Sequence, residues 1–139
     1  ALALAWLSLD PPDNADGKSW DQVSQRIRRA VRPLDSVGRT GSRDFLLILP
    51  NTAKDQIGNI ARRILRTVAT PTDRAAVGSL YWPSWLGLTT VIPGEKPEAA
   101  LARASAALDR ARASEPFSFA LAETDLVHGM SLEEALQEA

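Results

Sequence analysis

Apolar runs of strand length alternate with helical segments along this chain, and that alternation confines it to a sheet covered by amphipathic helices. Leu2 to Leu9 is an apolar run that stops at "DPPDNADG", a cluster of turn-formers without periodicity, so a strand and a loop are expected. Ser19 with Gln22 three residues on predicts a capping box, and Trp20, Val23, Ile27 and Val31 recur at helical spacing until Pro33 ends the run. The other face of that helix carries Arg26, Arg28, Arg29 and Arg32, of which the first three read most simply as a solvated face. Phe45 to Leu49 reads as a second buried strand. From Thr52 a longer helix places Ile57, Ile60, Ile64, Leu65 and Val68 on one side, with Arg62, Arg63 and Arg66 around it. "YWPSWLGLTTV" reads as one strand or as a hairpin interrupted at Pro83. Pro97 suits the first turn of a helix, and the Ala-rich run to Ala113 sets Leu101, Ala104 and Leu108 closely against something flat. Phe117, Phe119 and Leu121 alternate as a last strand, and Ser131 with Glu134 caps a short tail helix. The order β-α-β-α-β-α-β gives one domain over residues 1–122 and a C-terminal tail over 123–139, with no repeat.

Composition narrows the function classes. At 139 residues, 45% apolar and 24% charged, the chain has the make-up of one folded domain rather than a disordered segment. A net charge of −1 provides no field that would hold a nucleic-acid polymer. Arginine nevertheless outnumbers lysine thirteen to three, which suits planar, bidentate recognition of guanine or phosphate in a small nucleotide. With no cysteine there is no disulfide framework, thiolate metal site or thiol nucleophile, which fits a reducing compartment. The opening "ALALAWLSL" is too short to span a bilayer and lacks the basic flank of a signal peptide, so a cytoplasmic location without membrane contact is expected. The first residue is not Met, and we expect a fragment of a longer protein.

Weaker motifs read as structure. "DNADG" at 13–17 resembles a calcium loop, but its first ligand position would fall on Pro12 and its bidentate acid on Val23. His128, the one histidine, has no cysteine partner and reads as a surface residue. Trp6, Trp20, Trp82 and Trp85 fall where core filling is the usual use, although an exposed Trp82–Trp85 pair would be a docking patch.

The stretch "DSVGRTGSRDFLLILPNT" resembles the signature of GGDEF domains of diguanylate cyclases: an Asp-x-x-x-Arg-x-Gly-Gly-Asp/Glu-Glu-Phe turn between two strands, then an apolar strand and a Pro-x-Thr lead-in to a helix. "WLGLTT" resembles the family's Ser-Ile-Gly-Val strand, and "ARASAALDRARAS" its Ala-Asp-x-Ala-Leu-Tyr-x-Ala-Lys helix. The resemblance runs from Leu2 to about Ala122. It implies an α/β (α+β) sandwich whose central, mainly antiparallel sheet is flanked by helices.

The resemblance also implies what the signature has lost. Cyclase domains join two GTP molecules and need oxygen ligands for Mg²⁺ on the triphosphate. Here the signature reads Gly41-Ser42-Arg43-Asp44-Phe45: Ser42 replaces the second glycine and Arg43 the acidic metal ligand. The family's first-strand Asp-x-Asp appears as Ser8-Leu9-Asp10, and the guanine-pocket segment is shortened to the Pro11-Pro12 loop. The expectation is a catalytically inactive domain with no catalytic residues, metal or cofactor. Asp44 beside an arginine is expected to make a salt bridge.

A second site is implied. Many GGDEF domains carry an Arg-x-x-Asp inhibitory site, or I-site, at a fixed distance before the signature, where the product cyclic di-GMP binds. Arg32-Pro33-Leu34-Asp35 stands five residues before Gly41, at the family's spacing, and counting from the signature puts the site's further arginine at Arg63. Spacing is the argument, because thirteen arginines and ten aspartates in 139 positions give about one Arg-x-x-Asp by chance. A guanidinium fork meets guanine N7 and O6, while a carboxylate accepts from the N1 and N2 donors. Arg32, Asp35 and Arg63 are therefore the expected cyclic di-GMP ligands, in a receptor module of a larger bacterial signalling protein with flanking domains, and a ligand-bridged homodimer is one expected assembly. The alternative is a structural module that dimerises or holds a partner without nucleotide. In that case Arg32 only complements the helix dipole and pairs with Asp35 on the surface, worth about a few tenths of a kcal/mol.

Overall fold

The computed structural model describes residues 1–69, 82–123 and 127–129. Strand β1 (Leu2–Leu9) is buried over most of its length, which explains why its sequence is a continuous apolar run rather than an alternating one. It lies in the middle of a six-stranded sheet of order β2-β3-β1-β4-β5-β6, formed with β2 (Ser36–Arg39), β3 (Asp44–Pro50), β4 (Ser84–Val91), β5 (Ser118–Leu121) and β6 (Val127–Gly129). Neighbouring strands are antiparallel except β4 and β5, which are parallel and joined through a helical crossover. This is the mainly antiparallel α/β sandwich that the family resemblance implies.

Helices cover the two faces unequally. Helices α1 (Gly17–Ala30) and α2 (Ile57–Ala69) pack on one face, where Val23, Ile27, Ile64 and Leu65 meet Leu7, Leu9, Phe45, Leu47 and Leu86 in the main core. Helix α3 (Pro97–Arg112) covers the other face through Ala107, Leu108 and Ala111 against Trp85 and Ala120. Its small residues let it lie almost on the backbone of β4. A Cβ built on Gly87 would stand 2.2 Å from the Leu108 nitrogen and 2.4 Å from the Ala104 carbonyl oxygen, so this position excludes any side chain. The flat surface expected opposite the Ala-rich run is therefore β4.

Several local expectations change. The cap of α1 is Asp16, whose carboxylate accepts from the Ser19 amide at 2.9 Å, while Ser19 closes the reciprocal box. Ser19 is thus the third helical residue and not the cap; the carboxylate at the positive helix end, held by the Ser19 amide, sits below its usual pKa range. Residues 84–91 form one strand and no hairpin. Trp82 and Trp85 are buried, so they form no docking patch. Arg26 is only 3% exposed and donates to the Val68 carbonyl at 3.3 Å; burial pushes its pKa down, and it does not belong to a solvated face. His128 stacks on Phe119 with ring centroids 4.9 Å apart. The expected tail helix at Ser131 and Glu134 lies outside the described residues.

Candidate functional site

The β2–β3 hairpin carries a candidate site at each end. At one end α1 stops because Pro33 cannot continue it, and Arg32-Pro33-Leu34-Asp35 closes as a turn with the Asp35 amide donating to the Arg32 carbonyl at 3.0 Å. Proline at the second position of such a turn fixes its φ. The Asp35 carboxylate folds back to accept from the Arg32 amide at 2.7 Å, from Nε at 3.1 and 3.2 Å, and from Nη2 at 2.9 Å. The same Nη2 donates to the Pro50 carbonyl at 2.7 Å and to Thr52 Oγ1 at 2.8 Å. Asn51, at φ +52°, turns the chain after β3 so that buried Thr52 reaches back beneath the guanidinium. The Asp35 side chain is 1% exposed and that of Arg32 34% exposed, so the pair is inset rather than lying on the surface. The carboxylate holds the Arg32 pKa above its ordinary value.

Two cavities flank this arginine. One, of about 270 Å³, is lined by Arg32, Pro33, Leu34, Pro50 and Asn51. The other, of about 330 Å³, is lined by Arg28, Val31, Arg32, Pro33, Asp35 and Val37. The structure thus brings Arg32 and Asp35 together. Arg63 sits exposed on α2 and lines neither cavity. Thr52, the Pro50 carbonyl and Arg28 also belong to this end, and sequence reasoning gave none of them a role here.

At the other end, residues 40–43 form the turn between β2 and β3. Arg39 lies 4.3 Å over the Trp20 ring and donates to the carbonyls of Gly41 and Ser42, at 3.2 and 2.7 Å. The Thr40 amide donates to the Asp44 carbonyl, and the Leu9 amide to the Arg43 carbonyl, each at 3.0 Å. Phe45 is buried, anchoring the start of β3. Beside this turn the last residue of α3, Arg112, donates from Nη1 to Ser8 Oγ at 2.6 Å and from Nη2 to Asp10 at 3.3 Å, while its plane stacks 4.6 Å from the Trp85 centroid. Arg43 approaches the same Asp10 oxygen at 3.9 Å. The salt bridge expected at Asp44 is thus made by its neighbour to Asp10. The Ser8 hydroxyl and the Asp44 carboxylate face each other across the β1–β3 ladder, and the two guanidinium groups on Asp10 set positive charge beside them, which opposes a divalent cation that needs several oxygen ligands. These residues do not fit Mg²⁺.

Comparison with known proteins assigns the family. No curated protein matches the chain significantly. Among solved structures, diguanylate cyclase SiaD from Pseudomonas aeruginosa, determined with its activator SiaC, is 27% identical with a TM-score of 0.69 over 81% of this chain. The chain spans only 46% of that SiaD chain. An EAL/GGDEF domain protein from M. capsulatus is 26% identical, with a TM-score of 0.70 over 86% of this chain and 83% of its own. The GGDEF domain of DgcB from Caulobacter crescentus, determined in complex with c-di-GMP, shares the fold at a TM-score of 0.73 and 23% identity, over 88% of this chain and 78% of its own. The family model described as "Diguanylate cyclase, GGDEF domain" matches residues 18–116, more than half of the sequence, and the chain therefore belongs to the GGDEF domain family.

Proposed function

We propose that this domain is a receptor for cyclic di-GMP that does not itself join GTP. The observation that carries the reading is the Arg32–Asp35 turn, an arginine fixed by a buried carboxylate and by Thr52 between two cavities. Preorganisation of this kind lowers the ordering cost of binding. Arg32 meets the ligand, Asp35 serves it chiefly through Arg32, and Arg63 adds a guanidinium from α2. The c-di-GMP complex of the DgcB domain, which has the same fold, supports the choice of nucleotide. Loss of cyclase chemistry is supported by Arg112 and Arg43, which bring positive charge to Ser8 and Asp10 where metal chemistry needs oxygen ligands. The module would act in a bacterial cytoplasm, within a longer signalling protein whose flanking domains read out the bound state. No described helix is long and apolar enough to cross a membrane.

The test is to incubate the purified chain with GTP and Mg²⁺ or Mn²⁺, follow product by chromatography, and measure equilibrium binding of cyclic di-GMP in parallel. The proposal expects no product and a dissociation constant on the order of micromolar, equivalent to about −8 kcal/mol. Turnover would overturn the inactive assignment, and absence of binding would overturn the receptor.

A further inference from the structure

We infer that Arg28, on the last turn of α1, is the specificity-determining arginine of the cyclic di-GMP site and reads the O6/N7 edge of a guanine seated in the cavity between α1 and β2. The inference rests on the receptor reading above, and starts from what Arg32 has left to offer. Its Nε and Nη2 hydrogens are committed to Asp35, the Pro50 carbonyl and Thr52, so neither of the forks that include Nη2 is available to a base. What remains is Nη1 and the planar face of the group. A guanidinium held this way is a plate on which a base can stack, and it is poorly placed to pair with a base edge through two bonds.

The cavity beside that plate supplies the missing donor. This cavity of about 330 Å³ is lined by Val31, Pro33 and Val37, which suit the faces of a purine, and by both Arg28 from the end of α1 and Arg32 from the turn that follows it. Arg28 is exposed, and among the described residues its side chain makes no hydrogen bond or ion pair. All its donors are therefore open to a ligand. Guanine presents two acceptors, O6 and N7, on the edge that a guanidinium fork matches, whereas adenine presents an amino donor in place of O6. An arginine here favours guanine over adenine. Arg63 lines neither cavity, so Arg28 is the better placed of the two to contact a base beside Arg32.

The experiment is titration of the purified chain with cyclic di-GMP and with cyclic di-AMP, for the wild type and for Arg28→Ala, Arg28→Lys and Arg43→Ala. Arg28→Ala is expected to weaken cyclic di-GMP roughly tenfold or more, the scale of one bidentate contact, and to change cyclic di-AMP less than about threefold. Arg28→Lys keeps the charge without the fork and should lose most of the same preference. Arg43→Ala removes an equal charge at the far end of the hairpin and should leave both affinities in place. Unchanged cyclic di-GMP affinity in Arg28→Ala, or equal weakening of both ligands, overturns the role of Arg28 while leaving the receptor standing. A wild type that binds neither nucleotide overturns the receptor, and the role of Arg28 with it.

Discussion

The two ends of the β2–β3 hairpin hold similar residues in opposite arrangements. At the Arg32 end one guanidinium is enclosed by acceptors: a buried carboxylate, a main-chain carbonyl and a hydroxyl. At the signature end the count reverses, with Arg43 and Arg112 sharing Asp10 and with Ser8 giving only its hydroxyl. The first arrangement fixes an arginine between two cavities, which on the proposed function makes it a support for a planar ligand. The second spends the Asp10 carboxylate on internal pairing with two guanidinium groups. A single strand pair therefore carries one end where an arginine is held by acceptors and one end where a carboxylate is shared by arginines, and the charge balance around each arginine makes the difference.

The largest expected effect separates the ends mechanically. Gly87→Ala would drive a methyl group into the backbone of α3, at an overpacking cost of about 3 kcal/mol. Because α3 carries Arg112, the substitution should lower the thermal midpoint and loosen the Ser8–Asp10 cluster. The Arg32 turn, built from α1, β3 and the segment after it, should keep its ligand affinity below the new midpoint. Loss of binding in a still-folded variant would show that the ends are coupled.

Asp35→Ala acts on the other end. It frees Arg32 from its main partner, so titration should show cyclic di-GMP weakened at least about tenfold, with the fold intact by circular dichroism. Equal affinity in wild type and variant would mean that the turn does not prepare the arginine. Next in size is Arg112→Ala, which removes the Trp85 stack and the bond to Ser8 Oγ; chemical denaturation should report a loss of about 1–2 kcal/mol. Nucleotide binding at Arg32 should not change.

The smallest effect concerns acid. Glu95 lies just beyond the end of β4 that pairs with Leu2, on the Arg32 side of the sheet, and is bonded to Arg103 at 2.6 and 2.7 Å and to the Ile92 amide. The Arg103 hydrogen bonds lower its pKa from 4.5 to about 2. A folded pKa below the unfolded one means the stabilisation is complete above about pH 4.5 and is lost as pH falls toward 2. Glu95→Gln should flatten the stability profile in that window, while an unchanged profile would remove Glu95 as its source.

Legibility in the sequence followed the range of the interactions. Strands β1 and β3 and helix α3 were readable because two apolar runs and Pro97 are local signals, although burial alternates along β3 where its continuous run suggested a fully buried strand. Strand β2 was implied only by the resemblance, with its turn between two strands, and not by the residue pattern, because its four residues lie at the sheet edge, largely exposed, with no apolar pattern to show. β6 was missed for the same reason of length and edge position. Asp16 and Ser19 are both good caps three residues apart, so the pattern permitted either as the first. At the sites, Arg32 and Asp35 are neighbours in sequence and were legible by spacing. The contacts of Arg32 to Thr52 and of Arg112 to Ser8 join residues 20 and 104 positions apart, and only the folded sheet brings them together.

The most direct test of the central claim is calorimetric titration of cyclic di-GMP into the wild-type chain and into Arg32→Ala. The account predicts saturable binding on the order of micromolar in the wild type and at least about tenfold weaker binding in the variant. No binding in the wild type, or the same affinity in both proteins, would contradict it.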